Sequence, residues 1–246
     1  MNLKYSNMRS GNPVLTQKAF STPIIGGDKM TLNGTVNKTF MSLLLLVGCA
    51  YFTYDEMNFT LLIGGAIVGF VVALITVFKK SWAPITVPIY AIAEGFVLGG
   101  ISFLYNAQYE GIVSNAIFLT LGILISLLML YKSGYIKATE NFKLGVFAAT
   151  GGIALVYLAN FIMGFFGSSI GVLNPMNSSL LSIGFSLFVV VIAALNLVLD
   201  FDFIEKGVEN GAPKYMEWFG AFGLLVTLIW LYLEILRLLA KLNNRR

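Results

Sequence analysis

Apolar residues in this chain come in long unbroken blocks. They show neither the alternation of a half-buried strand nor the one-sided stripe of a soluble helix. The blocks run from about Phe40 to Tyr54, Leu61 to Phe78, Ile85 to Tyr105, Ile112 to Tyr131, Leu144 to Phe166, Leu180 to Leu199 and Trp218 to Ala240. Six or seven of them approach the 17 to 25 residues, roughly, that cross about 30 Å of hydrocarbon as a helix. Backbone groups in lipid must be hydrogen-bonded internally, and without period-two alternation these segments are helices, not barrel strands. The pattern therefore predicts an all-α polytopic membrane protein, a bundle of seven transmembrane helices. The first block is short, so its helix begins earlier or thins the bilayer locally. Three regions follow: a polar arm over 1–38, the seven-helix domain over 39–241 and a basic tail over 242–246.

Composition agrees. The chain is 57% hydrophobic and 11% charged, against about a quarter charged in a soluble domain. Surface this apolar needs a bilayer as its partner. The arm is rich in Ser, Thr, Asn, Gly and Lys and has no apolar core of the kind a secretory signal carries. A lone Cys49 rules out an internal disulfide framework. The absence of any His removes Ser-His catalysis, His-ligated haem and His-based pH sensing. No cofactor and no nucleic-acid partner are expected.

Charge sets the expected orientation. Lys and Arg number five in the arm and then none, two, none, three, none and two in the six successive loops. That alternation fits the positive-inside rule with a cytoplasmic N-terminus. Arg237, Lys241, Arg245 and Arg246 depart from it if the seventh segment crosses fully. A re-entrant last segment is the alternative, but its length is a spanning length.

Against this background the acids stand out. From Leu180 through Leu199 no residue is charged, and Asp200 and Asp202 follow at what this topology makes the cytoplasmic mouth of the sixth helix. Glu205, Lys206, Glu209, Lys214 and Glu217 then read as a solvated loop. Glu94 lies well inside the third segment, where an acid costs free energy unless it faces protein or a water cavity. It is either an ion or proton site or a neutral acid that ties helices together. Glu234 and Arg237, three apart, form a pair on one face near the membrane edge. Gly65 with Gly69 and Gly95 with Gly99 have the small-xxx-small spacing of close helix contacts. Gly167-Ser168-Ser169-Ile170-Gly171 matches a nucleophile elbow by chance, lacking both strand and His.

One set of segments carries a family likeness. Leu195-Asn196-Leu197-Val198-Leu199-Asp200-Phe201-Asp202-Phe203-Ile204 resembles the sixth helix of the transmembrane Bax inhibitor motif family. Gly11-Asn12-Pro13-Val14-Leu15, Met30-Thr31-Leu32-Asn33-Gly34-Thr35-Val36 and Ala212-Pro213-Lys214-Tyr215-Met216-Glu217-Trp218 are similar to segments of its bacterial branch. The resemblance implies seven helices with the last near the centre, a plasma (inner) membrane location and a pH-sensitive calcium leak. It also implies two aspartates, on the sixth and seventh helices, that share a proton and gate a pore. Asp200 matches the first. The second falls on Glu234 in one register, and on an apolar residue or Thr227 in another.

Two carboxylates in a poorly solvated site repel, so that one holds a proton. Calcium, which favours oxygen ligands, competes for the charged form. The expectation is a passive cation leak without enzymatic activity. Asp200, Asp202 and Glu94 offer oxygens to calcium or another cation, and Lys79, Lys80, Glu234 and Arg237 are candidates to gate or latch Asp200. A non-conducting scaffold that regulates other membrane proteins is the alternative. An intramembrane aspartyl protease is a weaker one, because Asp200 and Asp202 are two apart and residues at that spacing do not face each other on a helix.

Overall fold

Seven helices account for the seven apolar blocks. The computed structural model describes residues 28–55 and 57–245, so the Gly11–Leu15 segment lies outside it. In chain order the helices are α1 (Leu32–Asp55), α2 (Phe59–Phe78), α3 (Ala83–Gln108), α4 (Ile112–Lys132), α5 (Glu140–Phe165), α6 (Leu180–Glu209) and α7 (Met216–Asn243). Each is long and apolar enough to cross a membrane. Single 3-10 turns at Lys80–Trp82 and Gly171–Leu173 precede α3 and α6. Among the described residues there is no strand, only one antiparallel bridge between Lys29 and Pro213.

Local chemistry places the helix starts. Asn58, Thr139 and Ser179 each accept a hydrogen bond from the backbone N–H three residues on, capping α2, α5 and α6. Thr31 does the same for α1 through Gly34 N, at 3.0 Å. That cap starts α1 eight residues before the apolar block. The helix is therefore of full spanning length and requires no local thinning. Apolar patterning alone misses this start because the first two turns carry Asn33, Thr35, Asn37 and Lys38. At the other extreme α6 does not stop at Asp200 but continues to Glu209.

α7 is the axis of the bundle and packs against α1, α3, α4 and α6. A helix that is apolar all round is buried all round, and Phe219, Ala221, Phe222, Leu225, Leu231, Leu236 and Ala240 are fully enclosed. By contrast α5 packs mainly on α6 and turns Leu155, Leu158, Phe161 and Phe165 outward. The α7 C-terminus sits beside the α3–α4 and α5–α6 connections: Tyr109 donates to Asn244 Oδ1 at 2.8 Å, and Asn244 Nδ2 donates to Pro175 O at 3.3 Å. The last helix therefore crosses the full bundle and ends opposite the start of α1.

α3 meets α1 through its glycines. A Cβ on Gly99 would strike the Ala50 carbonyl and the Thr53 hydroxyl, and one on Gly95 would strike the Leu46 carbonyl and Cys49. With no side chains between them the backbones approach closely enough for Thr53 Oγ1 to donate to Phe96 O at 2.9 Å.

Two of the segments singled out in the sequence meet at the start of α1. Met30 N donates to Ala212 O at 2.7 Å and Lys214 N to Asp28 O at 2.9 Å. Glu217, fully buried, accepts from both Thr31 N and Thr31 Oγ1 at 2.9 Å. It also pairs with Lys38 Nζ at 2.6 Å and Lys214 Nζ at 3.1 Å. In a capping box the acid three residues after the cap closes onto the cap's own N–H. Here that position is Gly34, and the acid arrives from α7 instead. A Cβ on Gly34 would lie inside the Glu217 carboxylate. The carboxylate also suits the positive end of the α1 dipole.

Two substitutions test this packing by thermal or denaturant unfolding in detergent. Gly99→Ala should cost about 1–3 kcal/mol through overpacking, whereas Gly64→Ala, which meets open space, should stay within about 0.5 kcal/mol. Glu217→Gln keeps the shape but removes the charge, and should cost about 2–3 kcal/mol, the scale of hydrogen bonds to a charged group. An unchanged transition in Glu217→Gln would show that this carboxylate does not hold α1.

Candidate functional site

Asp200 occupies the α6–α7 interface. It is 0% exposed, and the preceding turn of Leu197, Val198 and Leu199 is equally enclosed. Thr227 of α7, 3% exposed, donates its hydroxyl to Asp200 Oδ2 at 2.6 Å. Because α6 runs nine residues further, Asp200 lies roughly 14 Å in from the helix end at 1.5 Å per residue. It is an interior acid, not one at the mouth. The two facing positions on the sixth and seventh helices are thus a carboxyl and a hydroxyl, which selects the register that sets Thr227 opposite Asp200 over the one that uses Glu234.

Asp202 belongs to a different cluster. Two residues along a helix is about 200° of rotation, at 3.6 residues per turn, so its side chain leaves toward α5. There Lys143 Nζ lies 3.0 Å away and Lys206 Nζ 2.8 Å away from Asp202 Oδ2. Lys143 is 1% exposed and also reaches Glu140 Oε1 at 3.2 Å. Burying a charge is costly unless it is paired, and these four residues pair one another across α5 and α6. Glu205 accepts a hydrogen bond from the Tyr131 hydroxyl of α4. Most of the charged residues after Asp202 are therefore helical and not a solvated loop. Glu205, Lys206 and Glu209 extend α6 by more than two turns, with Glu205 tying it to α4, and Glu217 opens α7; Lys214 does lie in the exposed turn between the two helices.

Glu94 sits half-buried near the middle of α3, with its carboxylate against Gly69 of α2. It lines a recess of about 320 Å³ with Ala66, Phe70, Ala73, Leu74, Val77, Tyr90, Val97, Phe222 and Val226. No hydrogen bond or ion pair links it to another side chain among the described residues. The two lysines expected as latches rest on aromatic faces: Lys79 Nζ is 4.4 Å from the Trp82 ring centroid, and Lys80 Nζ 5.5 Å from that of Phe219.

Asp200, Asp202 and Glu94 accordingly face three different surroundings. They do not form one ligand set, and among the described residues no three carboxylate or thiol side chains converge in a way that could hold a metal ion. Glu234, 2% exposed, is paired as its spacing predicts, with Arg237 Nη1 at 2.9 Å. Tyr157 of α5 donates to the same carboxylate at 2.6 Å, and Arg237 also donates to the Tyr157 hydroxyl. This group lies about two turns beyond Thr227 and ties α7 to α5.

Sequence reasoning missed Lys143 and Lys241. Both are basic residues at the edge of apolar blocks that look like ordinary flanking charges, yet both are buried. Lys241 donates to Val172 O, Ser182 O and Ser186 Oγ at 2.6, 3.2 and 2.8 Å. A weak signal was present in the serines near the start of α6, which supply oxygen where lipid-facing residues would be apolar. Tyr157 carried no signal, since one tyrosine in a membrane helix is unremarkable.

No curated protein and no solved structure matches the chain significantly. A family profile described as Bax inhibitor 1 like matches residues 12–244, which includes all seven helices, the contact of Glu217 with the start of α1 and the Asp200–Thr227 contact. The chain belongs to the Bax inhibitor 1 like family of membrane proteins.

Proposed function

We propose that the protein is a passive, proton-controlled leak for a cation, calcium foremost, with Asp200 as the switch and Thr227 as the group that senses its charge. The observation that carries this reading is a fully buried carboxyl bonded across the interface of α6 with the central helix α7. An ionised carboxylate only accepts hydrogen bonds, whereas a protonated one also donates. A change of one proton therefore alters what the α6–α7 contact can hold, on the helix that touches most of the others.

Between Asp200 and the near end of the bundle lie the Asp202–Lys143–Lys206–Glu140 cluster and the Glu217–Lys38–Lys214 cluster. In this reading they close the path until the interface shifts. By the positive-inside rule their lysines, with Lys79 and Lys80, support a cytoplasmic position for that end and for the N-terminus, and the resemblance to the bacterial branch supports the plasma membrane as the location. The cation passes carboxylate and hydroxyl oxygens in turn and finds no resident binding cage. No catalytic step is involved. The density of paired charge at that end also favours a second reading, a non-conducting regulator of another membrane protein.

The test is calcium entry into liposomes that contain the purified protein, followed across a pH series. Wild type should conduct with a pH-dependent rate, and Asp200→Asn should remove the pH dependence. Thr227→Val should move the midpoint by about one pH unit, the equivalent of one hydrogen bond of about 1.4 kcal/mol, while Thr227→Ser leaves it in place. A pH response in Asp200→Asn equal to wild type would refute the switch. Absent flux together with a stoichiometric co-purifying partner would support the regulator.

A further inference from the structure

We propose that the recess around Glu94 binds a lipophilic amine, held as its ammonium by the Glu94 carboxylate with its hydrocarbon body between α2 and α7. This inference is independent of the leak and of Asp200. At about 320 Å³ the recess is at the low end of the range for small-molecule sites, about 300–1,000 Å³. Its walls are apolar apart from Glu94 and the Tyr90 hydroxyl. Other buried or half-buried acids of the bundle sit with donors: Asp200 with Thr227, Asp202 with two lysines, Glu217 with Thr31 and two lysines, Glu234 with Arg237 and Tyr157. Glu94 has no such hydrogen-bond or ion-pair partner among the described residues, and its carboxylate packs directly on Gly69, where a Cβ would lie 2.9 Å from Oε1.

Geometry says from where an occupant enters. Ala66, Phe70 and Leu74, at successive i+4 positions of α2, form the outer rim and are exposed on the lipid-facing side of the bundle. Tyr90 and Phe222, stacked edge to face with centroids 4.9 Å apart, form the floor and are buried. Glu94 is the twelfth residue of α3, which puts it roughly 16 Å along the helix at 1.5 Å per residue, at hydrocarbon depth. The recess therefore opens toward acyl chains, and anything that enters must be soluble in them.

Charge then selects the class. A metal ion does not suit one carboxylate with no further oxygen cage, since calcium takes about six to eight oxygens. An anionic amphiphile would repel the carboxylate, and a neutral one brings a hydrogen bond at most and no countercharge. An amine answers it: it crosses hydrocarbon in its neutral form and takes the proton of the Glu94 carboxyl. It then rests as R–NH₃⁺ against the carboxylate it has just ionised. Proton and charge balance, and no lone charge enters the bilayer. The charge-assisted hydrogen bond is of the strong kind in a low-dielectric site.

The experiment uses the full chain in phosphatidylcholine nanodiscs and a diazirine-bearing dodecylamine as photoprobe, with labelled residues mapped by mass spectrometry. Labelling should be saturable, centre on Ala66, Phe70 and Val226, and be displaced by dodecylamine but not by dodecanol. Glu94→Gln should lower it about tenfold or more, the loss expected for one charged hydrogen bond. Ala66→Trp, which fills the exposed rim and keeps the carboxylate, should lower it comparably, so the outcome does not hang on one variant's folding. Absence of labelling in the recess, labelling that persists in both variants, or equal displacement by dodecanol would overturn the assignment.

Discussion

α7 stands where neither water nor headgroups reach most of its length, so every polar side chain it carries must be answered by a neighbouring helix. Each answer comes from a different place. Glu217 is met by the start of α1, Thr227 by Asp200 of α6, Tyr232 by Ser102 of α3 at 2.6 Å, and Glu234 by Tyr157 of α5. Lys241 is met by Ser186 Oγ and Ser182 O of α6 and by Val172 O of the 3-10 turn before it. In hydrocarbon an unanswered polar group costs several kcal/mol. A slip of α7 by one residue, about 100° of rotation, would break all five contacts together.

These contacts specify the arrangement more than they stabilise it. Apolar contact between helices in lipid gains little over contact with acyl chains, and a buried ion pair roughly offsets its own desolvation. Close packing through Gly95 and Gly99 supplies contact area between α1 and α3, while the polar spine on α7 sets register. The two clusters at the lysine-rich end lie where such charges are least costly, near the headgroups. Asp200 lies deeper in the bundle, where its carboxyl is bonded to the Thr227 hydroxyl of α7. That distinguishes it physically from Asp202, two residues away.

Much of the fold was legible in the chain. Seven apolar blocks, the absence of alternation and the loop charges define the helices and their order, and the spacing of Glu234 and Arg237 foretells their pair. The glycine pairs foretell close approach, though not that Gly95 and Gly99 face α1 while Gly69 faces Glu94. Boundaries were less legible. α1 begins under a polar cap, and α6 continues under charged residues, because those residues find partners in other helices that hydropathy cannot register. The importance of Thr31, Gly34 and Glu217 was visible only as two short segments without a stated role. Their role is to meet.

Composition and periodicity determined that this chain lies in a bilayer as seven helices, because twenty apolar residues in succession have no other low-energy state. They also marked out the residues whose burial would be costly. The tertiary structure alone decided how that cost is met: Asp202 by lysines, Asp200 by Thr227, Glu217 by the start of α1, and Glu94 by no hydrogen-bond or ion-pair partner among the described residues. The physical reason is that hydropathy is a property of one segment and can be summed along it. The partner of a buried charge is set by helix rotation and depth, which depend on all seven segments at once.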